Sequence, residues 1–188
     1  PIAVTALLPI VLFPIAGGMD LAQTTASYGH KLIFLIMGGF MIAIAIEKWN
    51  LHKRIALYII YFIGTDLRKI ILGFMVATAF LSMWISNTAT AVMMLPIGVV
   101  IIKQLKDNPS TDENENNIFG KALMLAIAYS ASIGGIATLI GTPPNLVMAG
   151  IVSQVYGYEI SFLEWIVFGL PVSMLLLAIC WVYLTRYA

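Results

Sequence analysis

The sequence has 188 residues, of which 61% are hydrophobic and 10% are charged, and its mean hydropathy is +0.96. Soluble domains carry about 25% charged residues, so this composition excludes a water-soluble enzyme with a polar surface. A formal net charge of +1 provides no basic surface for nucleic acid, and the single cysteine, Cys180, excludes an internal disulfide. The composition therefore indicates an integral membrane protein.

Five stretches without charged residues are candidates for the bilayer, in which one helical crossing takes about 20 apolar residues. Two of them, 70–102 and 122–158, are too long for one simple crossing and require an internal turn or break. The shorter stretches, each predicted to cross once, are 1–18, 32–46 and 165–185.

The lysines and arginines predict the orientation of these stretches. If 70–102 enters and leaves the membrane on the same side, every basic residue except Lys31 lies on one side. Basic residues accumulate on the cytoplasmic side, so the crowded side is expected to face the cytoplasm. The arrangement requires 70–102 to be a helical hairpin, either two tight crossings or a re-entrant loop. We expect a multi-pass protein of the plasma or inner membrane.

Two further segments are predicted to lie at the membrane surface. Residues 48–63 mix aromatic and basic residues with apolar ones, which is typical of a helix along the cytoplasmic headgroups. A short additional core helix is the alternative for this segment. Residues 106–117 are strongly hydrophilic and are expected to form a loop in solvent.

A polar cluster, residues 82–90, lies at the midpoint of 70–102. The basic residues Lys69 and Lys103 flank the cluster at similar separations, so it is expected to form the turn of the hairpin. Isolated Ser and Thr residues in membrane helices usually hydrogen-bond to their own helix. Their concentration at a turn favours a binding role instead, and a half-helix is expected to begin near Ala89.

A second break is predicted within residues 134–145. Pro143 and Pro144 lack an amide hydrogen and disfavour helical geometry in the residue before them, and Gly141 loosens the backbone further. We expect a helix over about 119–134, an extended stretch, and a half-helix that begins near Pro144. Such broken helices must be buried in protein or line a cavity, and they are the best sequence indication of a transporter's binding site.

A cation bound at these breaks would meet only neutral ligands, because 70–102 and 122–158 contain no Asp, Glu, Lys, Arg or His. The available oxygens are the hydroxyls of Ser82 and Ser86, the Asn87 amide and main-chain carbonyls at the breaks. Oxygen ligands suit a hard ion such as Na⁺, whereas zinc and copper prefer imidazole or thiolate.

An anion is predicted to bind next to the cation. The half-helices that begin near Ala89 and Pro144 have partly positive N-termini with free N–H groups, which attract anions. The hydroxyls of Thr88 and Thr142 and the Asn87 amide can add hydrogen bonds. The sequence therefore predicts an anion held without arginine beside sodium.

Ser-Asn-Thr at 86–88, at the tip of a charge-free hairpin, followed by Gly-Thr-Pro-Pro-Asn at 141–145, resembles the divalent anion/sodium symporters. These are the di- and tricarboxylate and sulfate transporters. The resemblance extends over the whole chain, because the order of spans, surface helix, hairpin, acidic loop, broken helix and final span agrees. It implies an all-α integral membrane fold: one inverted-repeat half of an elevator-type carrier, with a re-entrant helical hairpin and a broken transmembrane helix.

The resemblance also implies which residues bind the ions and the substrate. Sodium is expected as the coupling ion with no other cofactor, and the protein is expected to be a carrier and not an enzyme. The implied sodium ligands are Ser82, Ser86, Asn87 and the carbonyl of Gly141. The implied substrate contacts are Asn87, Thr88 and Thr142, with Pro143 close by.

In such carriers a transport domain slides against the scaffold of a homodimer. By this resemblance, 1–63 contains scaffold helices and the cytoplasmic interfacial helix, and 160–188 is the final scaffold span. Residues 67–157 would be the moving part, with the hairpin, the cytoplasmic loop and the broken helix. The expected partners are the lipid bilayer, a small carboxylate or oxyanion, a second copy of the chain, and the second repeat of the fold.

Only one Ser-Asn-Thr and one proline-rich break are present, so the sequence matches the amino-terminal repeat alone. We expect a fragment of a longer polypeptide rather than one of two half-length chains, partly because the sequence begins at Pro1. The predicted function is Na⁺-coupled uptake of a small di- or tricarboxylate. Alternatives are a sodium-independent or proton-coupled anion carrier and a non-transporting structural subunit. An intramembrane protease is disfavoured, because no Asp pair or Ser–His pair lies in the charge-free stretches.

Overall fold

The computed structural model describes residues 1–63, 66–106 and 113–186, and within these ranges the secondary structure is helical, without β-strands. This confirms the predicted all-α fold. In chain order the helices are α1 (Ile2–Ile15), α2 (Leu21–Tyr28), α3 (Lys31–Lys48), α4 (Leu51–Ile63), α5 (Leu67–Ser82), α6 (Asn87–Lys106), α7 (Glu113–Ile136), α8 (Pro143–Tyr156) and α9 (Phe162–Arg186).

Four helical segments of the described residues are long and apolar enough to cross a membrane: Leu21–Lys48, Asn87–Gln104, Asn116–Ile136 and Phe162–Arg186. The helices α1, α5 and α8 are shorter, with 14, 16 and 14 residues. At a rise of 1.5 Å per residue they extend roughly 21–24 Å, less than the hydrocarbon core of about 30 Å. A helix as short as α5 or α8 has the length of a half-helix and not of a full crossing.

The chain divides into two compact units, Pro1–Gly38 and Gly39–Ala188. In the first unit α1 packs against α2, and the Tyr28 hydroxyl donates a hydrogen bond to the Ala6 carbonyl over 2.6 Å. Most side chains of α1 are exposed and apolar. Exposed apolar side chains of this kind require contact with lipid or with other protein.

The core of the second unit is built around α5 and α7. These two helices pack against each other, and each also packs against α6 and α9, while α4 packs against α5. Close packing, and not the hydrophobic effect, drives helix association in lipid. The largest completely buried apolar side chains of this core are Phe74, Met75, Met94 and Leu123.

Glycine permits the closest approach between α5 and α7. A Cβ atom placed on Gly134 would overlap the main chain at Ala79, so α7 can contact α5 backbone to backbone only with glycine here. Small residues are the usual means of such close approach between membrane helices. This contact lies just before the end of α7 and holds that end against the last turns of α5.

The predicted hairpin is present. Helix α5 ends at Ser82, α6 begins at Asn87, and the two helices pack together, so the turn lies within the polar cluster at 83–86. Helix α6 has 20 residues, enough for a full crossing, and is therefore not the half-helix that was expected near Ala89. The predicted surface segment 48–63 contains α4, which begins at Leu51 after Asn50. Asn50 has φ of 51°. Asparagine tolerates this left-handed conformation better than most residues do, and it separates α3 from α4.

Two expectations about helix boundaries are wrong. The segment 106–117 was predicted to be a loop, but α7 begins at Glu113 and residues 113–117 are helical, while 107–112 lie outside the described residues. Acidic residues are favourable in the first turn of a helix, so the acidic end of this segment stabilises the start of α7. The stretch between about 134 and Pro144 was predicted to be extended, but α7 continues to Ile136 and α8 begins at Pro143. The part between these helices is 137–142. It consists mainly of turns, because the Ala137 amide donates to the Gly134 carbonyl over 3.0 Å and the Gly141 amide to the Thr138 carbonyl over 3.3 Å.

Helix α9 begins with a reciprocal capping pair. The Glu164 amide donates to Ser161 Oγ over 3.2 Å, and the Ser161 amide donates to Glu164 Oε2 over 2.8 Å. This arrangement satisfies two of the free N–H groups at a helix start. The Tyr158 hydroxyl donates to Glu164 Oε1, and this hydrogen bond raises the pKa of Tyr158. The start of α9 is therefore fixed relative to the loop that follows α8.

Candidate functional site

Ser86 begins α6 as its N-terminal cap. The Ala89 amide donates to Ser86 Oγ over 3.3 Å, and the Thr90 amide donates to the Ser86 carbonyl over 2.9 Å. A serine in this position satisfies amide groups that lack a partner within the helix. The Ser86 side chain is exposed. Its hydroxyl oxygen retains a second lone pair for a ligand.

Ser82 and Asn87 are in direct contact across the turn. Ser82 is completely buried, and its Oγ lies 2.7 Å from Asn87 Oδ1 and 2.6 Å from the Ala131 carbonyl oxygen. A hydroxyl has one hydrogen and can donate fully to only one of these two acceptors. Three oxygen atoms thus lie together: Ser82 Oγ from the last turn of α5, Asn87 Oδ1 from the first turn of α6, and the Ala131 carbonyl oxygen from α7.

The end of α7 lies against the Asn87 side chain. A Cβ atom placed on Gly135 would overlap the Asn87 amide group, and one placed on Gly141 would fall 2.5 Å from the Gly135 carbonyl oxygen. Gly135 is therefore packed between the start of α6 and the end of the second break. Both breaks meet at this residue.

Asn145 holds the second break in its folded shape. Its side chain is buried, and its Nδ2 donates to the Gly135 carbonyl over 2.9 Å and to the Thr138 carbonyl over 2.8 Å. These carbonyls are among those that lose their helical partners where α7 ends. A side chain in the first turn of α8 thus donates hydrogen bonds to carbonyl groups at the end of α7 and just after it.

Side chains from two other elements complete this arrangement. The Thr138 hydroxyl donates to the Met83 carbonyl over 2.6 Å and links the second break directly to the hairpin turn. The Trp165 indole N–H of α9 donates to the Ile136 carbonyl over 2.9 Å. Unwound backbone at membrane depth needs such internal partners, because lipid offers none.

The structure brings some of the predicted site residues together and leaves others at the edge. Ser82 and Asn87 are in contact, and Gly141 is buried against Gly135. Thr142 is half-buried in the N-terminal cap position of α8, where its side chain makes no cap hydrogen bond. The exposed members of the predicted set are Ser86, Thr88 and Pro143.

Three residues that organise the site were missed as site residues: Gly135, Thr138 and Asn145. All three lie within the predicted second break, 134–145. Gly141 is the predicted source of a carbonyl ligand, and the structure also packs Gly135 against the Asn87 amide. Gly135 can be recognised as a site residue only from its contact with the hairpin tip. That contact depends on how the helices pack, which the sequence does not show.

The site contains no ionisable side chain from the two charge-free stretches, so its electrostatics come from main-chain and amide dipoles. Helices α6 and α8 both begin at the meeting breaks and direct partly positive N-termini to this region. Among the described residues no group of three or more His, Cys, Asp or Glu residues could hold a metal ion. The arrangement suits neutral oxygen coordination of a cation beside an anion.

A family model described as citrate transporter matches residues 1–188. The chain is 52% identical over 189 aligned residues to the sodium-dependent dicarboxylate transporter SdcS of Staphylococcus aureus strain USA300, and 51% identical to SdcS of strain NCTC 8325. Each match covers 100% of this chain and 36% of the relative, so the chain spans about a third of the length of these relatives.

These matches confirm the resemblance to sodium-coupled di- and tricarboxylate transporters, and both the family and the relatives are described as transporters and not as enzymes. Together with four apolar helices of membrane length, they identify a multi-pass membrane protein. Because the family model matches the whole of the sequence, this chain belongs to the citrate transporter family.

Proposed function

We propose that this chain forms the amino-terminal repeat of a secondary active transporter that couples Na⁺ to the uptake of a small di- or tricarboxylate. The observation that carries the proposal is the contact between Ser82 and Asn87, beside the main chain of Ala131 and Gly135 and without any charged residue. The relatives are named for sodium and for dicarboxylates, and this supports both parts of the proposal.

The proposed cation site follows from counting hydrogens. Ser82 Oγ lies close to two acceptor oxygens, Asn87 Oδ1 and the Ala131 carbonyl oxygen, but it carries only one hydrogen. One of these two oxygen–oxygen contacts therefore needs another positively charged or hydrogen-donating group. A turned Asn87 amide could supply an N–H group. A sodium ion between Ser82 Oγ and Asn87 Oδ1 would supply the partner as well, and it leaves the hydroxyl hydrogen for the Ala131 carbonyl.

Further oxygens complete the proposed sodium coordination. Ser86 lies in the same turn as Asn87, and the proposed carbonyl ligand comes from the second break. Gly141 was predicted for this role, and its carbonyl stays a candidate. The Gly135 carbonyl is a second candidate, because Gly135 packs against the Asn87 amide and its carbonyl oxygen retains one lone pair after it accepts the Asn145 hydrogen bond.

The proposed anion site lies on the accessible side of the same junction. Thr88 is exposed and Thr142 is half-buried, so both hydroxyls can reach a solute, and Pro143 lies at the start of α8 beside them in sequence. The first amides of α6 and α8 add partial positive charge. A carboxylate bound by Asn87, Thr88 and Thr142 would lie next to the sodium ion and be stabilised by its charge.

We further propose an elevator-type arrangement for the complete carrier, in which this chain is one of two inverted repeats and the hairpin is re-entrant. Residues 67–157 would belong to the moving domain and 1–63 to the scaffold of a homodimer. The resemblance also assigns 160–188 to the scaffold, but its helix α9 packs against α7 of the moving domain. The second repeat, from the same polypeptide or a partner half, would supply the other part of the substrate site. The short lengths of α5 and α8 support half-helices that meet inside the membrane.

The test is uptake of labelled succinate and citrate into proteoliposomes that contain the complete carrier, under a sodium gradient and below saturation. We expect Asn87→Ala and Thr88→Ala to lower uptake at least about tenfold, the equivalent of roughly 1.4 kcal/mol or more of lost binding. Asn117→Ala is the matched control, because Asn117 is exposed near the start of α7 and far in sequence from both breaks.

Two outcomes would contradict the proposal. Uptake that both variants leave unchanged would remove the substrate and cation roles of the hairpin tip. Uptake that persists at full rate after the sodium gradient is collapsed would favour a sodium-independent exchanger or proton coupling.

A further inference from the structure

Two buried threonines near the proposed cation site have hydroxyl groups without a hydrogen-bond partner in the described part of the chain. They are Thr78 on α5 and Thr90 on α6, and both are completely buried. Buried polar atoms in folded proteins nearly always have a partner, either protein or ordered water. We therefore expect each of these two hydroxyls to have a hydrogen-bond partner.

Three other helical threonines show that a partner within the same helix is available to this side chain. The hydroxyls of Thr24, Thr25 and Thr185 each donate to the carbonyl four residues earlier in their own helix, over 2.7–3.0 Å. This is the usual arrangement for threonine in a helix. Thr78 and Thr90 lie in helices and do not make this bond. Their hydroxyls must find a partner elsewhere.

Thr78 and Thr90 lie on the two helices of the hairpin, each about one turn from its tip. Thr78 precedes Ser82 by one helical turn, and Thr90 follows Asn87 by about one turn, so each shares a helix face with one member of that contacting pair. On α7 the buried Ser130 precedes Ala131, whose carbonyl contacts Ser82. Its hydroxyl donates to its own helix and keeps its acceptor capacity.

The chemistry of these groups favours water over a second sodium ion. A cation would take lone pairs from the threonine oxygens and leave both hydroxyl hydrogens without an acceptor. A water molecule accepts both hydrogens and can donate one of its own to Ser130 Oγ. Three polar partners are typical of a buried water. One turn further from the hairpin tip, Phe74 on α5 and Met94 on α6 are apolar and fully buried, so this next layer offers no oxygen to complete an ion's coordination.

We propose that Thr78, Thr90 and Ser130 bind a buried water molecule one helical turn beneath the Ser82–Asn87 pair, and that this water positions the two residues for the coupling ion. The inference rests on the proposed sodium site and adds positioning residues to it. Because the water joins α5, α6 and α7 at one level, it fixes the spacing of the helices that carry Ser82 and Asn87.

The functional test uses isosteric substitutions in the complete carrier. Thr78→Val with Thr90→Val removes both hydroxyls and keeps the side-chain shape. We expect the sodium concentration for half-maximal dicarboxylate uptake to rise about three- to tenfold, while the dicarboxylate KM at saturating sodium stays within about twofold. Thr78→Ser with Thr90→Ser should restore the sodium response, and Thr185→Val is the control, because that hydroxyl bonds to its own helix.

An unchanged sodium response in the double valine variant would overturn the inference, and so would an increase in its thermal stability, which is expected when unpartnered hydroxyls are removed. Asn87→Ala in the same series separates this inference from the proposed function. If Asn87→Ala leaves sodium dependence intact, the proposed cation site fails. If only Asn87→Ala impairs the sodium dependence, the water site alone fails.

An experimental map of the carrier that resolves waters should show density within hydrogen-bond distance of both threonine oxygens, and an absent peak would also overturn the inference.

Discussion

Asn87 is held on one side by Ser82 and on the other by the main chain at Gly135, so the position of its amide depends on a residue without a side chain. Neither contact involves a charge. The amide can present its oxygen to a cation only while α7 approaches closely, and that approach is possible because Gly135 has no Cβ. Ion binding at the proposed site thus depends on the close packing of Gly135 against the Asn87 amide.

Gly135→Ala tests this dependence. The added methyl group would overlap the Asn87 amide, and either the side chain or the end of α7 must move. We expect the sodium concentration for half-maximal uptake to rise at least about tenfold in the complete carrier, because a small displacement of a ligand costs much of its binding energy.

Gly38→Ala is the matched control for Gly135→Ala. It places the same methyl group on a helical glycine that has open space around its Cβ position. This control should keep the sodium response of the unaltered carrier. A normal sodium response in Gly135→Ala would show that the contact between α7 and Asn87 does not influence the ion.

At the scale of the elements, the two breaks are one structure. The hydroxyl of Thr138 donates to the Met83 carbonyl and is completely buried, so it links the turn after α5 to the turn after α7. Asn145 adds the link from α8 back to the end of α7. The breaks are therefore stabilised by side-chain hydrogen bonds across elements, in addition to the turns within each segment.

Thr138→Val removes the link between the breaks and takes its hydroxyl partner from the carbonyl of the half-buried Met83. The expected cost is about 1–3 kcal/mol, seen as a lower midpoint of thermal unfolding for the purified carrier in detergent. Thr185→Val, which removes a hydroxyl that bonds only within α9, should lower the midpoint much less. Equal midpoints for the two variants would mean that the Thr138 bond contributes nothing beyond an ordinary helical threonine.

The sequence predicts those element boundaries that depend on local chemistry. Pro143 and Pro144 predict the start of α8, and the polar cluster predicts the turn between α5 and α6, because both signals act within a few residues. The contact between Gly135 and Asn87 could not be predicted, since it joins residues on two helices whose crossing is set by packing. The start of α7 was misplaced for a different reason: polar residues are typical of loops and also of helix N-termini.

At the scale of the whole molecule, the elevator proposal requires one set of helices to slide past another. Helix α9 lies within 160–188, the segment that was predicted to belong to the scaffold. Its Trp165 indole donates to the Ile136 carbonyl, and its Ser173 hydroxyl donates to the Ile133 carbonyl over 2.9 Å. If α9 stayed fixed while α7 moved, both hydrogen bonds would break in each cycle and leave polar groups unpaired in an apolar setting. The contacts of α9 thus weigh against a sliding surface at this position.

A crosslink between α7 and α9 decides between the two arrangements. Ile133→Cys with Ser173→Cys, in a carrier whose Cys180 is replaced by serine, places two thiols at positions joined by a hydrogen bond. After treatment with a short bifunctional thiol reagent, we expect sodium-dependent uptake to remain above about half of the uncrosslinked rate, because α7 and α9 move together. Uptake that falls to background on crosslinking and recovers when a cleavable reagent is reduced would instead place α9 in the scaffold. Each single-cysteine variant treated in the same way controls for modification alone.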